Sequence, residues 1–365
     1  MKLRSIFASI WLVGSLAMAS TVTAASSWTQ AASLLAGRTN FAATTLADGR
    51  VLVAGGSPGS VVGAEAERYD QASDSWTRVG NLVVGRSGFT LSALADGRAL
   101  AVGGNSATGL QPSVEVYDPT AGSWTTATPM HTARANHSAT VLADGRVLVA
   151  GGVVAKGGAT NEAEIYDPAT NVWTRVDSLH NPRYNHTSTL LADGRILIAG
   201  GFTPGSNHSP TKKAEVYDPV VDRWDVVGSM TIARGVHAAV RLADGTVLVA
   251  GGVISPPNAL VLTATAEVFD PALLDWQTTG SMIMPRRAID AARLGDGSAL
   301  IAGGFGPAAL TATAERYDPG TGSWSQTASM SVARAPLLQK LTDGRVLAIA
   351  SIGGVTTTAV EVYLP

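Results

Sequence analysis

Seven arginines and seven glutamates recur at fixed positions and are the residues best suited to bind charged groups. The arginines each follow a tryptophan by ten residues: Arg38, Arg86, Arg134, Arg183, Arg234, Arg286 and Arg334. The glutamates each precede a tyrosine or phenylalanine by two: Glu67, Glu115, Glu164, Glu215, Glu267, Glu315 and Glu361. If the arginines are exposed, they would form a cationic ring that could bind an acidic ligand. Because there is one glutamate for each arginine, the two sets could instead form internal ion pairs. We favour the ion pairs and keep ligand-facing arginines as the alternative.

Histidine supplies the one pattern that suggests a metal site. His137, His186 and His237 each stand three residues after one of these arginines, and imidazoles on neighbouring strands are compatible with zinc or copper. The same position elsewhere in the repeat holds apolar residues, namely Phe41, Phe89, Ile289 and Leu337. We therefore favour side-chain packing for these histidines, and we predict no metal or other cofactor.

Candidates for acid–base catalysis are few. A carboxylate beside a cation is the minimum for proton transfer, and Asp290, Arg241 and Arg293 are the candidates that the repeat leaves without an obvious pair. Solvated channel lining is the alternative role for them. The sequence has no cysteine, which excludes disulfides, thiolate metal sites and a thiol nucleophile. It also lacks a Gly-x-Ser-x-Gly motif and a phosphate-binding loop.

A repeat of about fifty residues must position these side chains. Its markers are the tryptophans from Trp28 to Trp324 and seven Asp-Gly pairs, which begin at Asp48, Asp96, Asp144, Asp193, Asp244, Asp296 and Asp343. Asp-Gly is the favoured two-residue hairpin turn, so each unit reads as four strands, a to d. The last unit ends at Pro365 without a tryptophan, and Trp28 precedes the first strand a. The sequence predicts an all-β, seven-bladed propeller that the N-terminal strand closes.

These motifs resemble those of the kelch-repeat family, over essentially the whole chain after residue 24. The resemblance rests on a Gly-Gly pair after strand b, then an aromatic residue, then tryptophan, as in Gly151-Gly152, Tyr166 and Trp173. The residues of the repeat also resemble those of bacterial galactose-oxidase-like repeats. The resemblance covers the propeller only. The last unit departs from the pattern, with Ala350-Ser351 at the diglycine position. The resemblance implies arginines that capture acidic peptides, or a sugar mutarotase activity, in some members.

Loop lengths indicate which face varies. The connection from strand b to strand c changes in length, and it is longest in the third, fourth and fifth units. Variable loops on a rigid scaffold are where binding sites usually lie. The candidate ligand-binding residues are therefore Arg183, Tyr184, His208, Lys212, Arg134 and Arg234.

The N-terminus reads as an export signal over residues 1–24. Lys2 and Arg4 precede an apolar run from Ile6 to Ala17, and small residues allow cleavage after Ala19 or Ala24. The run is too short to span a bilayer. Losing Lys2 and Arg4 moves the formal net charge from -2 to -4, a modest value that suggests no nucleic-acid role. We expect one propeller domain over residues 25–365, secreted or periplasmic, and monomeric.

Together these features favour an exported binding or scaffolding module for a protein segment or a glycan. The alternative is a carbohydrate-active propeller, either mutarotase-like or a degenerate relative of galactose oxidase. Galactose oxidase itself, as that family is known, needs a cysteine that this chain lacks.

Overall fold

The computed structural model describes residues 26–57, 62–205, 208–255, 261–350 and 356–365. The predicted export segment, residues 1–24, lies outside the described residues. Strands dominate the described chain, and its one helical element is a short 3-10 turn at Ala155–Gly157. No helix in these ranges is both long enough and apolar enough to cross a membrane.

Seven four-stranded antiparallel sheets form the blades. The innermost strands are β2 (Ala42–Thr45), β6 (Thr90–Ala93), β12 (Ser138–Val141), β16 (Thr187–Leu190), β20 (Ala238–Arg241), β24 (Ala291–Arg293) and β28 (Leu337–Lys340). The second strands are β3 (Val51–Ala54), β7 (Ala99–Val102), β13 (Val147–Ala150), β17 (Ile196–Ala199), β21 (Val247–Ala250), β25 (Ala299–Ala302) and β29 (Val346–Ile349). 

The outer half of each blade consists of two further strands. The third strands are β4 (Ala66–Asp70), β10 (Val114–Asp118), β14 (Ala163–Asp167), β18 (Ala214–Asp218), β22 (Ala266–Asp270), β26 (Ala314–Asp318) and β30 (Val360–Leu364). The outermost strands are β5 (Ser75–Val79), β11 (Ser123–Ala127), β15 (Val172–Val176), β19 (Arg223–Val226), β23 (Asp275–Thr279), β27 (Ser323–Thr327) and β1 (Ser27–Gln30). Blade two also carries a small hairpin, β8 (Asn105–Ser106) and β9 (Gly109–Leu110).

The blades form a closed ring. Each innermost strand contacts the innermost strands of both neighbouring blades, and β28 of blade seven contacts β2 of blade one. Blade seven has the order β1-β30-β29-β28, so the N-terminal strand supplies its outermost member. The predicted seven-bladed propeller and its closure by the N-terminal strand are both confirmed.

The Asp-Gly hairpins set the lower face, which we define as the end of the ring that carries these turns. In blade three, Gly145 has a φ of 89°, which glycine tolerates without a side-chain clash. The backbone N–H of Arg146 donates to Asp144 Oδ1 at 3.0 Å, so the aspartate side chain fixes the turn. The upper face, at the opposite end, carries the diglycines and the connections from the second to the third strands.

The core lies between blades. The second strands, such as β13, are almost fully buried, and the tyrosines and tryptophans of the outer strands fill the widening gap. Trp173 and Tyr166 pair across β15 and β14 with ring centroids 5.1 Å apart. The indole Nε1 of Trp173 also donates to the Thr128 carbonyl of the preceding blade, at 2.8 Å.

The diglycines permit close contact between neighbouring blades. A Cβ on Gly151, whose φ is 64°, would lie 2.6 Å from the carbonyl oxygen of Arg183 in the next blade. In blade seven, Ala350 takes the place of this glycine and adopts a φ of 40°. Blade seven therefore keeps its four strands, and Ala350 accommodates the departure from the repeat by adopting the left-handed conformation.

Candidate functional site

The repeat arginines are internal structural residues. The Nη2 atom of Arg183 donates to Glu215 Oε1 at 2.6 Å, and both side chains have no exposed surface. Its Nη1 atom donates to the carbonyls of Gly200 and Lys213, at 3.1 and 2.8 Å. Glu215 also accepts the backbone N–H of His180 at 2.6 Å. The pair therefore ties the start of the inner strand to the second and third strands of its blade.

All seven blades carry this ion pair. The N–O distances are 2.5 Å for Arg86–Glu115, 2.9 Å for Arg134–Glu164, 2.9 Å for Arg234–Glu267, 2.6 Å for Arg286–Glu315 and 2.7 Å for Arg334–Glu361, and Arg38 pairs with Glu67 in the same way. The predicted ion pairs are confirmed. The choice of Arg134, Arg183 and Arg234 as ligand contacts is corrected, because their side chains are completely buried in these pairs.

The three candidate metal ligands pack between inner strands. His186 Nε2 lies 2.9 Å from Ser138 Oγ, His237 Nε2 lies 2.9 Å from Thr187 Oγ1, and His137 Nε2 lies 3.2 Å from Thr90 Oγ1. Each imidazole thus bonds the hydroxyl of the preceding blade. Their Cε1 atoms lie against diglycines, where Phe89 and Ile289 lie in other blades.

Burial keeps these imidazoles neutral. Loss of hydration lowers the pKa of His137 and of His237 to about 3, and a nearby arginine adds to each shift. The pKa of His186 is also well below its usual range for the same reason. Among the described residues, no group of three or more His, Cys, Asp and Glu side chains could hold a metal ion. The contacts of the three imidazoles are therefore those of the packing role that the sequence analysis favoured.

The catalytic candidates also bond to backbone. Asp290 accepts the N–H of Ala291 at 2.8 Å and the N–H of Leu338 in blade seven at 3.0 Å. Burial raises the pKa of this carboxyl. Arg241 and Arg293 end β20 and β24 at the lower face, whereas Asp290 lies before β24 at the upper end. The structure therefore separates Asp290 from both arginines along the inner strand, and the carboxylate–cation pair that proton transfer requires is not assembled.

Tyr184 is the centre of an aromatic cluster on the upper face of blade four. Its ring lies 5.5 Å from the ring of Phe202 and 6.0 Å, edge-on, from the ring of His208. Reciprocal backbone hydrogen bonds of 3.1 and 2.9 Å join Tyr184 to Phe202. Phe202 is buried over Gly235 of the next blade, while Tyr184 and His208 stay partly exposed. Lys212, on the same connection, is exposed. The structure thus brings together two of the predicted contacts, Tyr184 and His208.

A second feature lies two blades further on. The guanidinium of Arg287 stacks over the ring of Phe305, 4.5 Å from its centroid. These two residues line a small cavity of about 190 Å³ with Leu262 and Gly306. The sequence analysis missed Phe202, Phe305 and Arg287. Their positions in the repeat could have revealed them. Only in blades four and six does an aromatic residue follow the diglycine, and only in these two blades does a bulky residue follow the repeat arginine.

The two features lie on one arc of the upper face, with blade five between them. The residues after Tyr184, Gly235 and Arg287 form a chain of backbone hydrogen bonds, in which Val236 N–H donates to Asn185 and Ala288 N–H donates to Val236, at 3.2 and 3.1 Å. Tyr184, Gly235 and Arg287 are therefore consecutive positions on one arc. Gly235 is buried beneath the Phe202 ring, so Phe202 packs across to blade five between the aromatic cluster and the arginine.

Comparison with known proteins agrees with this architecture. Residues 51–313 match the family model described as the Attractin/LZTR1 β-propeller. The chain belongs to this family of kelch-type propellers. No curated protein matches the chain in a sequence comparison.

Solved structures extend the likeness to the rest of the ring. A fungal alcohol oxidase of the AA5 family, in complex with copper, matches with a TM-score of 0.74 and 18% identity, over 93% of this chain and 76% of that one. YjhT matches with a TM-score of 0.64 and 16% identity, over 81% and 99% of the two chains. At these identities the likeness shows the shared kelch-type fold alone.

Proposed function

We propose that this propeller is an exported binding or scaffolding module that recognises a protein segment or a glycan on its upper face. The observation that carries the proposal is the arc of Tyr184, Gly235 and Arg287, with Phe202 and His208 against Tyr184. Partly exposed aromatic rings and arginines are the residue types most common at the energetic centres of recognition sites, because rings supply contact area and arginine supplies fixed donors.

Rigid support strengthens this assignment. Phe202 is buried beneath the cluster, and the backbone of Tyr184 is tied to that of Phe202 by two hydrogen bonds. The ring of Tyr184 is thus held in place before a ligand arrives, which lowers the entropy cost of binding. Burial also raises the pKa of Tyr184, so its hydroxyl stays protonated and can donate.

Cationic side chains lie on the same connection of blade four as His208 and on blade six. Lys212 and Lys213 are exposed, and Lys213 Nζ donates to Asn181 Oδ1 at 2.9 Å. Arg287 makes no ion pair within the described ranges and stacks on Phe305. These charges favour a ligand with acidic or hydroxyl-rich groups, whether peptide or sugar.

The direct test is a glycan and peptide array probed with the purified protein. The best array ligand is then titrated by calorimetry against the wild type and the variants Tyr184→Ala and Arg287→Gln. Each variant should weaken binding about tenfold or more, the scale of an aromatic or arginine anchor. The matched controls are Val220→Ala and Arg223→Gln, exposed residues at the lower end of blade four where β18 turns into β19, which should bind like the wild type.

Two outcomes would contradict the proposal. Unchanged affinity in both upper-face variants would place the site elsewhere. A bound sugar whose anomers exchange faster with the protein than without it, in an NMR assay, would favour the carbohydrate-active alternative.

Export is a separate part of the proposal and rests on the sequence of residues 1–24. N-terminal sequencing of the protein recovered from the periplasm or medium should begin at Ala25 or, with the alternative cleavage, at Ser20. Recovery only from the cytoplasm, with Met1 or Lys2 at the N-terminus, would overturn it.

A further inference from the structure

The lower mouth of the channel carries a set of cations that neither the ion pairs nor the upper-face site uses. In every blade the inner strand ends at one register position, opposite the first residue of the second strand. The residues there are Thr45, Ala93, Val141, Leu190, Arg241, Arg293 and Lys340. The three cations belong to blades five, six and seven, which are consecutive. At this position one arc of the ring is therefore cationic, and the other four residues are uncharged.

The two arginine side chains run along the ring. Arg241 Nη1 donates to the Leu190 carbonyl of blade four at 3.1 Å, and Arg293 Nη1 donates to the Leu242 carbonyl of blade five at 3.4 Å. Each guanidinium thus lies on the inner strand of the preceding blade, with further N–H groups free for a ligand. Both side chains are partly buried, and Lys340 is exposed.

The acidic residues near this arc are engaged elsewhere. The turn aspartates of the same blades are Asp244, Asp296 and Asp343. Asp244 accepts from Thr246, Asp296 pairs with Arg316, and Asp343 pairs with Arg345 at 2.6 Å. In the part of the chain that the structure describes, no ion pair reaches Arg241, Arg293 or Lys340. Three positive charges therefore face at most the carboxylate of Asp244, which has no cationic partner of its own.

We propose that this arc of Arg241, Arg293 and Lys340 binds a small anion with at least two negative charges. Planar guanidinium groups recognise phosphate or carboxylate oxygens through paired N–H donors. Low-dielectric channel walls focus the field of like charges and raise the local concentration of counter-ions. Val141 and Leu190 occupy the same position in blades three and four, so the arc is bordered by apolar residues on that side. This site is distinct from the upper-face site and does not depend on it.

The experiment is calorimetric titration of the full chain at low ionic strength, with inorganic phosphate in one arm and citrate in the other. We expect saturable binding of one anion per protein in at least one arm, and the stronger arm identifies the oxyanion. The test variant is Arg241→Thr combined with Arg293→Thr. Threonine is chosen because Thr45 occupies this position in blade one and bonds the Lys340 carbonyl with its Oγ1 at 3.2 Å.

The double variant should weaken binding about tenfold or more. The control variant Arg175→Gln removes an exposed charge from the outermost strand of blade three and should leave anion binding unchanged. Circular dichroism and thermal unfolding establish that the double variant remains folded. Equal affinity of wild type and double variant would overturn the proposal, and so would the lack of saturable binding in both arms up to about 10 mM.

Discussion

The ring of Trp28 packs on the ring of Tyr363, with centroids 5.1 Å apart, and so joins the two ends of the described chain. The two residues are antiparallel partners in β1 and β30, and Trp28 Nε1 donates to the Ala328 carbonyl of blade six at 2.8 Å. Trp76 and Tyr69 make the same pair inside blade one, at 5.2 Å. The junction between the termini therefore reproduces the interior of an ordinary blade.

Trp28→Ala should destabilise the protein by about 3 kcal/mol, because it removes a large packed side chain and the bond to Ala328. Urea unfolding followed by circular dichroism measures the loss, and Trp76→Ala is the matched internal variant. Limited proteolysis should also reveal release of the N-terminal strand in Trp28→Ala alone. A change below about 0.5 kcal/mol, the usual range for surface substitutions, would show that closure by β1 contributes little.

Sequence predicted the ring because its repeat reports backbone geometry directly. Asp144-Gly145 specifies a hairpin, Gly151-Gly152 a close approach between blades, and the tryptophan spacing sets the number of blades. Matching arginines and glutamates were also sufficient to predict the ion pairs. Each of these residues meets a structural requirement that recurs in most of the blades. The repeated pattern in the sequence is therefore enough to predict the structure at those positions.

The candidate site was harder to predict because it consists of departures from the repeat. Arg183 and Tyr184 were both chosen as contacts because the connections of blades three to five are the longest, yet the repeat buries Arg183 and leaves Tyr184 partly exposed. Arg287 is adjacent to the buried Arg286 in the same way, and its partner Phe305 is distant in sequence. Which of two neighbouring residues faces the ligand depends on backbone direction at the channel mouth, which periodicity alone does not give.

Breaking one repeat ion pair should be costly. Arg86→Met leaves the Glu115 carboxylate buried beside the N–H groups of Val83 and Val84, without its cation. We expect a loss of about 3–5 kcal/mol in the free energy of unfolding. Urea denaturation measures it, and Arg223→Met, which removes an exposed pair with Asp225, should change stability by no more than about 1 kcal/mol.

A double-mutant cycle separates the ion pair from simple loss of volume. Glu115→Gln removes the charge and keeps one of the two acceptor oxygens, so one of the two N–H groups also loses its acceptor. The combined variant should therefore be less destabilised than the sum of the two single variants. Strict additivity would argue against coupling between Arg86 and Glu115.

Acid should destabilise the fold through its buried histidines. The pKa values of His137 and His237 lie near 3 in the folded protein, against about 6.5 in an unfolded chain. Between these values the unfolded state binds protons that the folded state does not, so stability is full above pH 6.5 and falls as the pH is lowered toward 3. From pH 7 to pH 5 the loss should be about 2 kcal/mol for each histidine.

The measurement compares urea unfolding at pH 7 and pH 5 for the wild type and for His137→Phe combined with His237→Phe. Phenylalanine suits the position because Phe41 and Phe89 occupy it in blades one and two. The variant should lose less stability on acidification, since the carboxylates contribute equally to both proteins. An equal loss in both would show that these imidazoles do not govern the acid response.

Gly235→Ala tests the geometry of the proposed upper-face site without altering a contact residue. A Cβ at this position would lie 2.7 Å from Cζ of Phe202, so the ring must move, and the ring of Tyr184 rests 5.5 Å from it. The backbone of Gly235 is bonded to Val253 and lies outside the left-handed region, so alanine is compatible with the fold. We expect ligand affinity to fall about fivefold to tenfold, because the aromatic cluster loses its preorganised position. Calorimetry with the array ligand measures this, with Gly295→Ala as the control, since no atom lies within 4 Å of its added Cβ. Full affinity in Gly235→Ala, with the Phe202 ring displaced in a crystal structure, would show that the ligand does not rest on the Tyr184 cluster.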